Sequence, residues 1–208
     1  MAYYPVFLEM SGRPCVVVGG GAVAERKVEG LLSVGARVTV ISAFLSARLE
    51  SWERAGAIRH LSRDYRPGDL LGFDLAFVAT DDGRVNAGVV REGREGGVWV
   101  NAADDPDHCD FILPSVLRRG ELVVAVGTGG ASPALACAIR EELEGYFTSD
   151  YAALARLVTE VRQELKSRRE RPHAERWRRA LGHDLRRLVA EGKHDEARAR
   201  LLAELGLT

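Results

Sequence analysis

The sequence predicts an α/β fold. A doubly wound parallel sheet spans residues 1–112, a short α/β segment spans 113–148, and an all-helical part spans 149–208. Three observations carry this expectation. Short β-like runs alternate with helical stretches through the first half, at a spacing that implies a parallel sheet with helices on both faces. A glycine cluster, Gly19-Gly20-Gly21, stands between the first apolar run and the first helical stretch. From Ser149 onward no strand signal remains.

In chain order, the predicted strands are Cys15–Val18, Arg37–Ser42, Ile58–Leu61, Asp74–Thr80 and Val98–Asn101. Between the first two, AVAERKVEGLLSVG sets Val23, Val28, Leu31 and Leu32 near one helical face, with Gly35 suited to the C′ stop. Between the last two, DDGRVNAGVVREGREGG reads as a more polar helix. FILPSVLRRGELVVAVGTGG then holds two apolar runs around Arg119-Gly120, an antiparallel connection. SPALACAIREELEGYF reads as a helix with Ser132 as N-cap and Pro133 at the first helical position. Three helices follow, punctuated by Pro172 and Gly192. No internal repeat or low-complexity tract appears.

Composition excludes several classes. Hydrophobic residues make up 46% of the 208, enough for a packed core, and the net charge of −1 gives no whole-chain attraction to nucleic acid or membrane. The charge is uneven: from Ser149 onward 14 Lys and Arg face 10 Asp and Glu, against 15 and 20 before it. No run approaches the roughly 18 apolar residues of a membrane span, and the first residues lack a secretory pattern. Cys15, Cys109 and Cys137 show no metal-ligand spacing. An odd cysteine count points to a reducing cytoplasm, with Cys15 and Cys137 expected as buried thiols in apolar runs.

Gly19-Gly20-Gly21-Ala22-Val23-Ala24 fits G-x-G-x-x-G/A with Ala24 in the last place. In that pattern the first glycine permits a tight turn and the second lets a pyrophosphate approach the backbone. The small last residue lets helix and strand pack closely. Alone the hexapeptide is a weak signal; here it follows a strand, opens a helix and lies in a strand–helix–strand unit. The sheet is therefore expected to be Rossmann-like and NAD-binding, with Gly19, Gly21, Ala22 and Val23 on the phosphates. At the end of the second strand, where a ribose-binding acid is usual, stand Ser42, Ala43 and Phe44. No arginine sits there for a 2′-phosphate, so NAD is expected over NADP. Thr80 and Asp81 end the fourth strand at the ligand-bearing edge. Thr80-Asp81-Asp82 also reads as a helix cap, and the two readings are compatible.

Three segments narrow the function. GGGAVAERKVEGLLSVGARVTV, VNAADDPDHCDFILPSVLRRGELVVAV and GTGGASPALACAIREELE, in this order, resemble the precorrin-2 dehydrogenase/sirohydrochlorin ferrochelatase family over roughly residues 1–150. The helical tail matches mainly in being helical. The resemblance implies an NAD-dependent oxidation of precorrin-2 to sirohydrochlorin and a homodimer, which the cysteine count places in the cytoplasm. Many members also insert ferrous iron, which is then a substrate and not a bound cofactor; others only dehydrogenate, and the residues do not separate the two. No tight metal site is expected.

By the same resemblance, Asp104 in the N-x-x-D-x-P segment, between Asn101 and Pro106, is the catalytic candidate. Without it, Asp104-Asp105-Pro106 would read as a turn. His108 reads as a solvated loop histidine. Thr128, Gly129, Gly130 and Ser132 match the family's small-residue turn before a helix, a place for substrate carboxylates. Some members carry serine where Thr128 stands. Arg118, Arg119 and Arg140 are candidate partners for those carboxylates.

The stretch from Lys166 to Arg187 holds nine Lys and Arg against three Asp and Glu, with Trp177 among them. It reads mainly as a solvated face, and a few of its cations can steer a polyanionic substrate. The rival from another class is a dinucleotide-sensing module whose basic tail contacts nucleic acid. No docking motif accompanies the charge, so neither nucleic acid nor membrane is an expected partner.

Overall fold

The computed structural model describes residues 3–103 and 109–207. The chain forms two compact units, Met1–Leu113 and Pro114–Thr208.

The first unit holds strands β1 (Pro14–Val18), β2 (Arg37–Ser42), β3 (Ile58–Ser62), β4 (Leu75–Val78) and β5 (Trp99–Ala102). They form one sheet in the order β3-β2-β1-β4-β5, every neighbouring pair parallel. Its helices are α1 (Ala22–Leu32), α2 (Ala47–Arg54) and α3 (Gly83–Gly96). Strand residues alternate between faces. Cys15, Val17, Val38, Val40 and Phe77 face a core closed by Val28 and Leu31 of α1 and Leu49 of α2. Val16, Val18, Ile41, Ala76 and Val100 face the opposite core, closed by Val89 and Val90 of α3. Both faces being covered explains why these strands read as unbroken apolar runs.

Two details differ from the sequence expectation. The buried stripe of α1 is Ala24, Val28 and Leu31, and Val23 is only half-buried. The small residue of the glycine pattern is itself a core residue. Helix α2 is an addition, opened by Ser46, whose hydroxyl accepts the Leu49 N–H at 3.4 Å. The α1 stop behaves as expected: Gly35 has φ +74°, its N–H donates to the Leu32 carbonyl, and the Ala36 N–H donates to that of Leu31. That pair of bonds is the Schellman closure.

The second unit begins with the antiparallel hairpin β6 (Ser115–Arg119) and β7 (Leu122–Val126). Gly120 takes φ +59° at the first position of the two-residue loop, the place a type II′ turn reserves for glycine. Helix α4 (Pro133–Tyr146) follows, with Ser132 accepting the Leu135 N–H and Pro133 at the first position. Then come α5 (Asp150–Ser167), α6 (Ala174–Ala180), α7 (His183–Ala190) and α8 (His194–Leu205). Where the sequence reads as one helix across 173–192, the structure has two. The chain leaves the helix at Leu181, and Gly182 takes an extended ψ of −179° as the N-cap of α7. The break lets Ala180, Leu185 and Val189 join Leu157, Val161, Leu165, Ala197 and Leu201 in one core.

Cys15 is fully buried, and that burial, with the Asp74 carboxylate nearby, pushes its thiol up to about 11. Cys137 is exposed, contrary to the expectation of a buried thiol. Its helix turns only Ala136 into a core, because the two-stranded hairpin beneath is too narrow to cover more.

Candidate active site: a glycine turn at the switch point

The chain winds from β1 outward to β3, then returns to the other side of β1 with β4 and β5. Ligands of such sheets lie where the order reverses, beyond the carboxyl ends of the strands. The glycine turn stands at that point, straight after β1.

Each glycine answers a different constraint. Gly19 has φ +123°, and a Cβ there would run into the Ala79 carbonyl. Its N–H donates to the Ile41 carbonyl at 2.9 Å. A Cβ on Gly20 would overlap the Phe44 carbonyl oxygen and crowd the Ser42 hydroxyl, and the Gly20 carbonyl accepts the Ser46 N–H at 2.9 Å. These two glycines let the β2–α2 and β4–α3 connections close in on the turn. Gly21 differs: its φ is −95° and a Cβ there meets nothing within 4 Å. It is the N-cap of α1 without any side-chain cap, so no capping side chain takes the first N–H groups of the helix. A pyrophosphate fits that cradle, with the donors and the positive end of the helix dipole facing it. The sequence pattern passes over Gly20, although packing constrains it as tightly as Gly19.

Other expected cofactor neighbours gather at this edge. Ser42 is buried, and its hydroxyl accepts the Phe44 N–H at 3.4 Å. Ala43 and Phe44 are exposed beyond it, Phe44 by 67%. His60, unremarked in the sequence, donates from Nε2 to the Ser42 carbonyl at 2.9 Å and holds the end of β2. Thr80 accepts the Asp82 N–H at 3.0 Å and donates to Asn86 Oδ1 at 3.1 Å. Asp82 is the N-cap of α3, and the N–H groups of Arg84 and Val85 hold its carboxyl below the usual carboxylate range. Thr80 and Asp82 thus shape the cap, while Asp81 lies exposed between them.

At the β5 end of the same edge, Asn101 is buried and ties three segments together. Its Oδ1 accepts from Lys27 Nζ of α1 at 3.1 Å, and its Nδ2 donates to the Phe111 carbonyl at 2.9 Å. Lys27 also lies 5.7 Å from the centre of the Phe77 ring. Past Asn101 the chain stays pinned: Ala103 N–H donates to the Val78 carbonyl, and Asp110 accepts the Val100 N–H at 2.7 Å. Asp104, Asp105 and His108 fall between these anchors and outside the described residues. Only the asparagine of the motif hinted at this brace; Lys27 gave no signal.

The remaining candidates belong to the second unit. Thr128 donates to the Ser132 carbonyl at 3.0 Å and accepts the Ser132 N–H at 3.2 Å, closing a tight turn in which Gly129 and Gly130 have φ +63° and +86°. That turn leaves the open end of the hairpin, beyond Val126. Arg118 and Arg119 stand at its other end, where Arg119 pairs with Leu122. Four residue steps along the strand separate the ends, about 13 Å, so the chain does not gather all six residues at one point. Arg119 donates to the Phe147 carbonyl at 2.7 Å, and Arg140 pairs with Glu141 and Glu144. Among the described residues no group of His, Cys, Asp and Glu is placed to hold a metal ion. No helix among them is long and apolar enough to cross a membrane.

A family model described as "Putative NAD(P)-binding" matches residues 6–115, more than half of the chain. The chain belongs to this NAD(P)-binding family. It is also similar to the siroheme synthase of Methylococcus capsulatus, 41% identical over 97% of this chain and 43% of that protein. The siroheme synthase of Methylobacillus flagellatus is 42% identical over 81% of this chain and 36% of its own length. The chain thus spans less than half the length of these curated relatives. Among solved structures, SirC, a precorrin-2 dehydrogenase, superposes with a TM-score of 0.79 at 29% identity, covering 96% of this chain and 98% of that one. The NAD(P)-binding match encloses the glycine turn, the strand ends and the Asn101 brace together.

Proposed function

We propose that this protein is an NAD-dependent precorrin-2 dehydrogenase that yields sirohydrochlorin. The observation that carries the reading is the likeness to SirC, which runs over nearly the whole of both chains and includes the helical part. The oxidation moves two electrons and one proton to NAD as a hydride, and a second proton leaves the tetrapyrrole. When bound, the nicotinamide supplies the hydride acceptor.

The chain's own residues do the rest. Backbone N–H groups of Gly21, Ala22 and Val23 hold the pyrophosphate, with Gly19 shaping the turn. Ser42, Ala43, Phe44, Thr80 and Asp81 border the nucleoside. Asp104 accepts the proton that leaves the substrate. Thr128, Gly129, Gly130 and Ser132 offer backbone donors to substrate carboxylates, with Arg118 and Arg119 as charged partners. NAD is favoured over NADP because no arginine stands at Ser42-Ala43-Phe44 to take a 2′-phosphate, and the arginines that follow in the chain at 48 and 63 are already paired. Arg63 makes a bidentate bond to Asp69 at 2.7 Å, and Arg48 bonds Glu29 and stacks on Trp52.

The proposal includes a cytoplasmic homodimer. Val116, Leu135 and Tyr146 are exposed by 38%, 50% and 60% around a two-stranded hairpin, and such a hairpin needs more cover than one chain gives it. Sedimentation at micromolar concentration should show a dimer; a stable monomer would contradict this part. The activity is tested anaerobically with precorrin-2 and NAD, then with ferrous iron in a second step. Nicotinamide reduction is the expected first readout, and its absence overturns the reading. Siroheme in the second step would assign iron insertion to the same chain.

A further inference from the structure

We propose that the cleft between the end of α5 and α6 is a binding site for a planar polycarboxylate. The cleft has a volume of about 860 Å³, within the range of small-molecule pockets. Arg162, Lys166, Arg169 and Arg171 line it, with Glu170 as the one acidic side chain in the lining. Leu165 and Trp177 supply its apolar wall.

Three observations bear on these cations. Some arginines of the helical part find carboxylates, with Arg168 and Arg198 sharing Glu164 and Arg200 bonding Asp184, while Arg178 and Arg179 of α6 have none among the described residues. Among the described residues, none of the four cleft cations has a carboxylate within ion-pair distance. Their positive charge is concentrated on a concave surface, where it acts on a ligand more strongly than on a convex one.

The second observation is the backbone at Arg169. The Glu170 N–H donates to the Leu165 carbonyl and the Arg169 N–H to that of Lys166, so Arg169 occupies the C′ place of a Schellman closure. Its φ is +58°, and it is the one non-glycine residue with positive φ among those described. Glycine would adopt this conformation without the penalty a side chain brings. Position 169 therefore forgoes the easier residue and keeps a guanidinium on the cleft.

The third is Trp177, half-buried beside Leu165 and Pro172. An indole among unpaired cations suits a ligand with an aromatic body and an anionic rim. A flat ring bearing several carboxylates has that form. Naming this class rests on the dehydrogenase reading, whose product is such a ring; the charge and shape of the cleft do not.

The test uses uroporphyrin, a planar octacarboxylate, with binding and stoichiometry followed by equilibrium dialysis. The paired change Arg162→Gln/Lys166→Gln should remove one bound porphyrin per chain, or weaken that site by at least about tenfold. Arg169→Gly should raise the melting temperature while weakening the same site. Both variants should still reduce NAD with precorrin-2. Equal stoichiometry and affinity in parent and variants would overturn the cleft, whatever the turnover. Loss of porphyrin in the variants of a parent that does not turn over would keep the cleft and overturn the dehydrogenase reading. Loss of DNA-duplex binding in the variants, with porphyrin binding unchanged, would also overturn the proposal and make the cleft a nucleic-acid contact.

Discussion

Gly21→Asp should keep the fold, hold or raise its stability, and weaken NAD binding by about a hundredfold, roughly 2.7 kcal/mol. The position is open, with φ −95° and nothing near a Cβ, so no strain opposes the new side chain. It is also the N-cap of α1, where aspartate is among the most favoured residues. The new carboxylate would take the N–H groups that a pyrophosphate needs and add a negative charge beside them. Gly20→Ala is the contrast. Its methyl group would meet the Phe44 carbonyl, which is backbone and cannot swing aside. Unfolding should then cost roughly 3 kcal/mol less, the loss expected of severe overpacking. Calorimetry and NAD titration of the two variants separate a ligand contact from a packing contact. Unchanged NAD affinity in a folded Gly21→Asp variant would remove the turn from the site.

Asp104→Asn should lower the dehydrogenase rate by roughly 10²–10⁴-fold, the usual contribution of a general base. Asparagine keeps nearly the same volume and can still hydrogen-bond, so folding and NAD affinity should survive. What disappears is a carboxylate able to take a proton from the tetrapyrrole. Any iron insertion by the parent should fall as well, because two pyrrole protons must leave before the metal enters. Single-turnover kinetics with parent and variant read the first step, and siroheme formation reads the second. Near-parental rates for both would return Asp104 to a turn residue.

The parallel sheet was legible because buried strands write themselves as apolar runs, and the glycine turn because its conformation admits few residues. Gly35, Gly120 and Ser132 were readable for the same reason: each answers a local backbone demand. What escaped depends on distant partners. Gly20 is constrained by Phe44, His60 by the Ser42 carbonyl, and Lys27 by Asn101, 74 residues further on. Cys137 shows the converse error: an apolar run fixes a helix, but a narrow hairpin cannot bury more than part of its face. The break at Gly182 was missed because a single glycine inside a helical pattern is often tolerated.

Oxidation of precorrin-2 by this chain, as proposed, depends on NAD bound at the glycine turn. The most direct measurement follows NADH and sirohydrochlorin together, anaerobically, with the parent and with Gly21→Asp. The predicted result is one NADH for each sirohydrochlorin in the parent. At NAD concentrations that saturate the parent, the variant should show severely reduced formation of both. Sirohydrochlorin appearing without NADH, or no turnover by a folded, NAD-binding parent, would contradict the account.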